Sequence, residues 1–221
     1  MRLNIGIIGG TGKEGRALAF RWARAGHDVY VGSREPSRGE ETAASIVAET
    51  GQVVHGGGNA EAAAFGAVVV LCVPYSAHAA TLSGLAGPLQ GRILVDITVP
   101  LQPPRVREVH LPAGGSAAQE AQALVGPGVR VVSTLHHVSS VILGDPDGTM
   151  DIDVLVCGDD ADARAQVCGL VADLGLSVLD GGVLRNAVAL EALTPVLLHL
   201  NRRYPGSHAG IRVTGLAGRV G

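Results

Sequence analysis

The chain has 221 residues and a formal net charge of −3, which gives no electrostatic case for binding nucleic acid or an anionic membrane surface. It is 47% hydrophobic, yet no apolar run approaches the ~20 residues that would span a bilayer. This length suits one large or two small domains around a proper core.

In chain order, Leu3–Gly9 is an apolar run ending in glycines, the pattern of a buried parallel strand. Arg16–Ala25 predicts a helix, with Leu18, Trp22 and Ala25 at helical spacing and Gly26 as its stop. Val29–Val31 is a second strand, and Pro36 starts a helix to about Glu49. Gln52–His55 is a short strand, followed by a helix that Asn59 is expected to cap. Val68–Val73 is a strand stopped by Pro74, Ser76–Leu85 a helix, and Ile93–Ile97 a strand. Gly115–Leu124 and Val129–Ser133 add one more helix and strand. Strands alternating with helices in this way predict an α/β fold of Rossmann type, a doubly wound parallel sheet. After Leu135 the rhythm changes. Val154–Cys157, Asp160–Leu174, Ser177–Leu179 and Val183–Arg203 read as strand, helix, strand and one long helix, a small C-terminal α/β extension. The expected division is residues 1–140 for a nucleotide-binding domain and 141–221 for the smaller one.

Gly10-Thr11-Gly12-Lys13-Glu14-Gly15 fits G-x-G-x-x-G between a strand and a helix, the context the motif requires. Gly10 permits the tight turn, Gly12 lets a diphosphate approach the backbone, and Gly15 lets helix and strand pack closely. The helix N-terminus then offers free N–H groups and partial positive charge. Glu14 sets a carboxylate near that diphosphate, and is expected to face solvent or to pair with Lys13 or an arginine. In such folds the end of the second strand meets the adenosine ribose, where an acidic residue selects NAD and an arginine accommodates a 2′-phosphate. Here the strand ends in Val31-Gly32-Ser33-Arg34, with Arg38 one helical turn further on. Asp28 comes too early to serve the ribose. Guanidinium groups fork onto phosphate oxygens, so Ser33, Arg34 and Arg38 predict NADP(H) rather than NAD.

The chain also lacks residues that common carbonyl reductions need. Of its 17 basic residues, one, Lys13, is lysine and the other 16 are arginine. The tyrosines Tyr30, Tyr75 and Tyr204 have no lysine four residues on, and no lysine stands in the second half. His136-His137 lies near the expected cleft, with a structural or solvent-facing role as plausible as a positioning one. Adjacent histidines in a strand point to opposite faces, and no cysteine or carboxylate sits at ligand spacing around them, so no metal site is expected. An acceptor that takes a bare hydride and finds its proton in water, such as a flavin-like ring, fits this residue set. The protein then mainly holds two rings at reacting distance.

The segments "GGTGKEGRALAFRWARAGHDVYVGSR", "VLCVPYSAH", "VDITVPL", "LHHVSS", "DVLVCGDD", "LRNAVALEALTPVLLHLNRRY" and "HAGIRVTGL" together resemble the NADPH-dependent reductases of coenzyme F-420, a deazaflavin, from Ile5 to Leu216. The resemblance implies direct hydride transfer between nicotinamide and deazaflavin, with both cofactors in a cleft between the two parts and no protein group as catalyst. It implies Thr11, Gly12, Lys13 and Glu14 at the diphosphate, and Ser33, Arg34 and Arg38 at the 2′-phosphate. Val73 and Pro74 would lie beside the nicotinamide, with Tyr75 and His78 nearby; the histidine spacing departs from the family pattern by one residue. His136, His137, Val138, Ser139 and Ser140 would run along the contact between the rings, where the archaeal pattern has a hydrophobic residue followed by proline. Ala209 and Gly210 would reach the deazaflavin, and Arg185 and Asn186 open the long helix, as ligands or as caps. Other acceptors, a flavin or an imine, and a non-catalytic NADP(H)-sensing protein remain alternatives.

Asp159 and Asp160 read as a helix start, and Arg202-Arg203 as a charged helix end. Val183, Ala187, Leu190, Leu193, Leu197 and Leu200 share a helix face, predicted to be domain core or the seam of a homodimer. Cys72, Cys157 and Cys168 are not closely paired, and the N-terminus runs straight into a strand pattern without a signal peptide. Both features lead to the expectation of a cytoplasmic protein with reduced thiols.

Overall fold

The structure, a computed structural model, describes residues 2–145 and 148–216. Its first half runs β1 (Asn4–Ile8), α1 (Lys13–Arg24), β2 (Asp28–Ser33), α2 (Pro36–Thr50), β3 (Val54–Gly58), α3 (Asn59–Phe65), β4 (Val68–Leu71), α4 (Tyr75–Leu85) and β5 (Ile93–Asp96). There follow α5 (Ala117–Val125), β6 (Arg130–Ser133), α6 (Ser140–Leu143), β7 (Asp153–Gly158), α7 (Ala161–Ala172), β8 (Ser177–Gly182), a 3₁₀ turn at Leu184–Asn186 and α8 (Ala187–Arg203). The strands form one sheet in the order β3-β2-β1-β4-β5-β6-β7-β8. Neighbours are parallel except β6 and β7, which are antiparallel. Strand order reverses between β1 and β4. In open α/β sheets that switch point opens a crevice at the carboxyl ends of the strands, where ligands bind.

Both faces of the sheet are covered, so its central strands are apolar throughout. Side chains alternate in direction along a strand. Val68 and Val70 therefore join Leu18, Trp22 and Ile46 on one face, while Val69 and Leu71 join Leu82, Leu85 and Ala118 on the other. On that second face α3 approaches β1 so closely that a Cβ on Gly6 would fall 1.9 Å from the Ala62 carbonyl oxygen.

The expected division near residue 140 falls at the start of α6, a short helix the periodicity does not reveal. The described residues beyond it build no separate core. β7 and β8 extend the sheet, and Val154, Val156, Val167 and Leu170 share one cluster with Ile5 and Trp22. The Trp22 indole Nε1 donates to the Leu170 carbonyl at 2.8 Å. The Arg21 guanidinium donates to the carbonyls of Leu143 at 2.7 Å, Asp145 at 2.6 Å and Leu174 at 3.2 Å. Residue 140 thus marks a change from parallel to antiparallel pairing rather than a gap in packing. Trp22 is fully buried between the two parts, so Trp22→Ala is expected to cost about 3–5 kcal/mol. Thermal unfolding should register this as a drop on the order of 10 °C, as a single transition because both parts lose the same contact.

Other expectations shift locally. α1 begins inside the glycine loop, at Lys13 rather than Arg16. The segment read as one long helix from Val183 is a 3₁₀ turn followed by α8. On the face expected to be buried, Ala187, Leu190 and Leu197 are buried while Val183 and Leu200 are exposed. Asp160 caps α7, accepting from the Ala163 N–H at 2.7 Å. Asn59 does not cap its own helix. Its Oδ1 accepts from the Gly9 N–H at 3.0 Å and so braces the glycine loop.

Candidate functional site

Two cavities lie along the carboxyl ends of the strands. The smaller, of about 460 Å³, is lined by Thr11, Gly12, Ser33, Arg34, Arg38 and Asn59 among others. The larger, of about 710 Å³, lies between the glycine loop, the loops after β5 and β6, α8 and the C-terminal tail. They meet at Gly12, Cys72, Val73 and Pro74, which line both.

The three glycines of the motif differ in what surrounds them. A Cβ on Gly10 would meet Val31 Cγ1 at 2.9 Å, and one on Gly15 would meet Gly10 Cα at 2.7 Å and the Gly9 carbonyl oxygen at 2.9 Å. These two serve close packing, and the Gly10 N–H donates to the Gly32 carbonyl at 2.8 Å. A Cβ on Gly12 would have only the Gly9 oxygen, at 3.5 Å, within 4 Å, so the backbone there is open to a ligand at the N-terminus of α1. Ser33 is buried and its Oγ accepts from the Glu35 N–H at 3.2 Å. Arg34 and Arg38 are exposed and make no ion pair among the described residues. Two unengaged guanidinium groups and a hydroxyl thus face one cavity, the donor set that suits a phosphate monoester.

The larger cavity gathers Lys13, Glu14, Val73, Pro74, Tyr75, Thr98, His136, His137, Val138, Ser139, Ser140 and Ala209 from distant parts of the chain. His136 and His137 stand in a turn rather than a strand. Leu135 adopts a left-handed φ of 65°, costly for a bulky residue, and both imidazoles are buried. Burial lowers the His136 pKa to about 4, against the pull of Asp96, and lowers that of His137 as well. Nε2 of His137 donates to the Asp153 carbonyl at 2.9 Å, which leaves Nδ1 as the acceptor of a neutral ring. The Nδ1 atoms of both histidines and Thr98 Oγ1 are buried without a partner.

The tail folds back to close this side. Ser139 Oγ and His208 Nδ1 are 3.1 Å apart, the Ala209 N–H donates to Asn201 Oδ1 at 2.8 Å, and the Val213 N–H donates to Asp153 Oδ2 at 2.7 Å. Gly210 lies behind Ala209, where a Cβ would come within 2.2 Å of Ile152 Cγ2.

Some residues fall elsewhere than expected. His78 lines neither cavity. It is buried on α4 with its Nε2 2.7 Å from Asp96 Oδ2, while Asp96 Oδ1 accepts from the Thr98 N–H at 2.9 Å. Arg185 and Asn186 also lie outside the cavities. Asn186 Nδ2 donates to the Gly181 carbonyl at 2.8 Å and so ties the helix start to the end of β8, and its side chain makes no capping bond to α8. Glu14 neither faces open solvent nor pairs with Lys13 or an arginine. It is half-buried in the larger cavity, where desolvation raises its pKa to about 7.

Sequence reasoning missed Glu191, a buried carboxyl of α8. It accepts from the Ala117 and Ala118 N–H groups at 2.7 and 3.1 Å and so caps the N-terminus of α5. Burial raises its pKa to about 8 despite those donors. A lone acid amid the apolar residues of "VALEALTPVLL" was the available signal.

The family model described as NADP oxidoreductase, coenzyme F420-dependent, matches residues 4–100. The F420-dependent NADP reductase of Methanothermobacter marburgensis is 36% identical, over 97% of this chain and 99% of that protein. That of Methanocaldococcus jannaschii is 35% identical, over 97% of this chain and 99% of that protein. A crystal structure from an Arthrobacter species is 28% identical and superposes with a TM-score of 0.83, covering 96% of this chain and 100% of the other.

Proposed function

The chain belongs to the coenzyme F420-dependent NADP oxidoreductase family, and from that premise we propose that it passes a hydride directly between C4 of the nicotinamide of NADP(H) and C5 of the deazaflavin ring of coenzyme F-420. The observation that carries this reading is the joined pair of cavities. A nucleotide with its 2′-phosphate at Ser33, Arg34 and Arg38 and its diphosphate at Gly12 has its nicotinamide directed past Cys72, Val73 and Pro74 into the larger cavity. That cavity, about 710 Å³ in all, suits the nicotinamide together with a second ring system. Its walls are largely apolar (Val73, Pro74, Ile97, Val138, Leu197), with buried polar atoms of Thr98, His136 and His137 lacking partners among the described residues.

In this reading the protein supplies proximity and a dry enclosure rather than a general acid on the acceptor, and pre-orientation of two bound rings lowers the barrier by several kcal/mol. Val138 and Pro74 press on the rings, the neutral histidines position polar edges, and Ser140 and Ala209 complete the enclosure. Mixing the protein with NADPH and the oxidised deazaflavin is expected to bleach the deazaflavin absorbance. Bleaching of FMN but not of the deazaflavin would move the assignment to a flavin reductase. Tight NADPH binding without turnover of any acceptor would leave only a nucleotide-sensing protein.

The same reading places the chain in the cytoplasm, supported by three cysteines that are all free, and makes it a homodimer. Val196 and Leu200 stay exposed on α8 beside the wall of the larger cavity, and a second copy is the natural cover for them. Among the described residues no helix is long and apolar enough to cross a membrane.

A further inference from the structure

Glu14 is a carboxyl without a partner in a place where one is costly. It stands on the first turn of α1 and lines the larger cavity, as do Cys72, Ile97 and Thr98. No hydrogen bond or ion pair of a described residue satisfies it. Each element around it brings little charge. Cys72, at the end of β4, stays a thiol because burial raises its pKa well above the usual range, with Glu14 and Asp96 adding to the shift. Asp96, at the end of β5, is committed to His78 and to the Thr98 N–H. His136 and His137, after β6, are held neutral by burial. On the cavity side, α8 contributes Thr194, Leu197, Leu198 and Asn201, none of them charged. His208 in the tail is engaged with Ser139, and Lys13 is exposed on the same helix without an ion pair. A positive charge entering this cavity would therefore find one unengaged carboxyl.

We propose that Glu14 is the countercharge for the oxidised nicotinamide, ionised when the ring is a pyridinium and protonated when it is the neutral dihydropyridine. This rests on the nucleotide reading above, which brings the nicotinamide past Cys72 to the Glu14 side of the cavity. In the forward direction the C4–H bond of the dihydronicotinamide breaks with its electron pair and a C–H bond forms at C5 of the deazaflavin. The donor ring becomes a cation, and the acceptor becomes an anion that needs one proton at a ring nitrogen. The Glu14 O–H bond releases its proton to solvent and the resulting carboxylate offsets the new pyridinium, while the acceptor anion takes its proton from solvent water. Hydride, proton and charge all balance without a further reactant.

The sign of the pH effect comes from linkage. A pyridinium within a few ångströms favours the carboxylate and lowers the carboxyl pKa, whereas a neutral ring does not. Relative to NADPH, NADP⁺ then binds with release of a proton, and the ratio Kd(NADPH)/Kd(NADP⁺) rises with pH. The rise should be about tenfold, the effect of about one pKa unit of differential shift, spread across the range in which a group with a pKa of about 7 ionises. The 2′-phosphate also titrates near this range, but it is common to both nucleotides and cancels in the ratio.

The test is calorimetric titration of the protein with each nucleotide from pH 5.5 to 8.5, in two buffers of different ionisation enthalpy, for the unaltered chain and for Glu14→Gln. The expected result is a rising ratio and proton release specific to NADP⁺ in the unaltered chain, with both lost in Glu14→Gln. A ratio independent of pH in the unaltered chain, or a rise that persists in Glu14→Gln, overturns the countercharge role while leaving the nucleotide reading intact. Should the variant not fold, the proton count on the unaltered chain decides alone. Failure of both nucleotides to bind at any pH instead overturns the proposed function, and this inference with it.

Discussion

Replacing Arg34 and Arg38 together by alanine is expected to raise KM for NADPH on the order of a hundredfold or more while leaving KM for NADH nearly unchanged. A hydrogen bond to a charged group contributes about 1.5–3 kcal/mol, and both guanidinium groups face the cavity without an acidic partner among the described residues. Because neither is engaged elsewhere in the fold, the unfolding temperature should hardly move. Comparison of kcat/KM for the two nucleotides isolates the 2′-phosphate, the one group by which they differ. An unchanged ratio would place the phosphate elsewhere and remove the main reason for choosing NADP(H). Single substitutions should each give part of the loss, with Arg38 the more tolerant if Arg34 alone can fork onto the phosphate.

The second large effect separates binding from folding within a single motif. Gly12→Val should abolish detectable NADPH binding at concentrations that saturate the unaltered chain, with little change in stability. Gly12 has φ −71° and ψ 163°, ordinary extended values that any residue adopts. A side chain there meets no neighbour closer than 3.5 Å and projects into the junction of the two cavities. Gly15→Val should do the reverse. Its Cβ would sit 2.7 Å from Gly10 Cα, and backbone cannot step aside as a side chain can. An overpacking cost of about 1–3 kcal/mol then lowers the unfolding temperature by roughly 2–12 °C, and binding suffers only as far as the loop itself shifts. Thermal unfolding and nucleotide titration on both variants read the two effects separately. Equal destabilisation by both substitutions would mean that the opening at Gly12 is not a binding surface.

The residues that could be read in advance are those whose chemistry is local. Gly10 and Gly15 declare a close strand-to-helix turn because a side chain at either would collide with its neighbours, while Gly12 leaves the backbone between them open. Ser33, Arg34 and Arg38 come to line one cavity because they follow a recognisable strand by a fixed count. Asp160 caps α7 by the same short-range logic. His78 shows where such reasoning stops. It follows the Val73-Pro74 segment closely, yet α4 winds it inward onto Asp96, 18 residues away, so closeness in sequence did not become closeness to the cleft. Glu14 was assigned the right loop and the wrong surroundings. The cavity it lines also draws on Cys72, Ile97 and Thr98, which no count from the glycine motif can reach. Asn59 and Glu191 look like ordinary helix residues until the elements they brace, the glycine loop and α5, are packed beside them.

Hydrophobic periodicity, turn residues and the glycine spacing determined by themselves that this protein alternates strands and helices and opens its first helix from a glycine loop, because each of these is fixed by the backbone within one or two turns. Tertiary structure alone decided that β7 and β8 join the same sheet, that the tail closes over His136 and His137, and that one carboxyl is left without a partner in the cavity. Those outcomes depend on which surfaces meet after the chain has folded, and desolvation, which sets the character of Glu14 and both histidines, exists only once they have met.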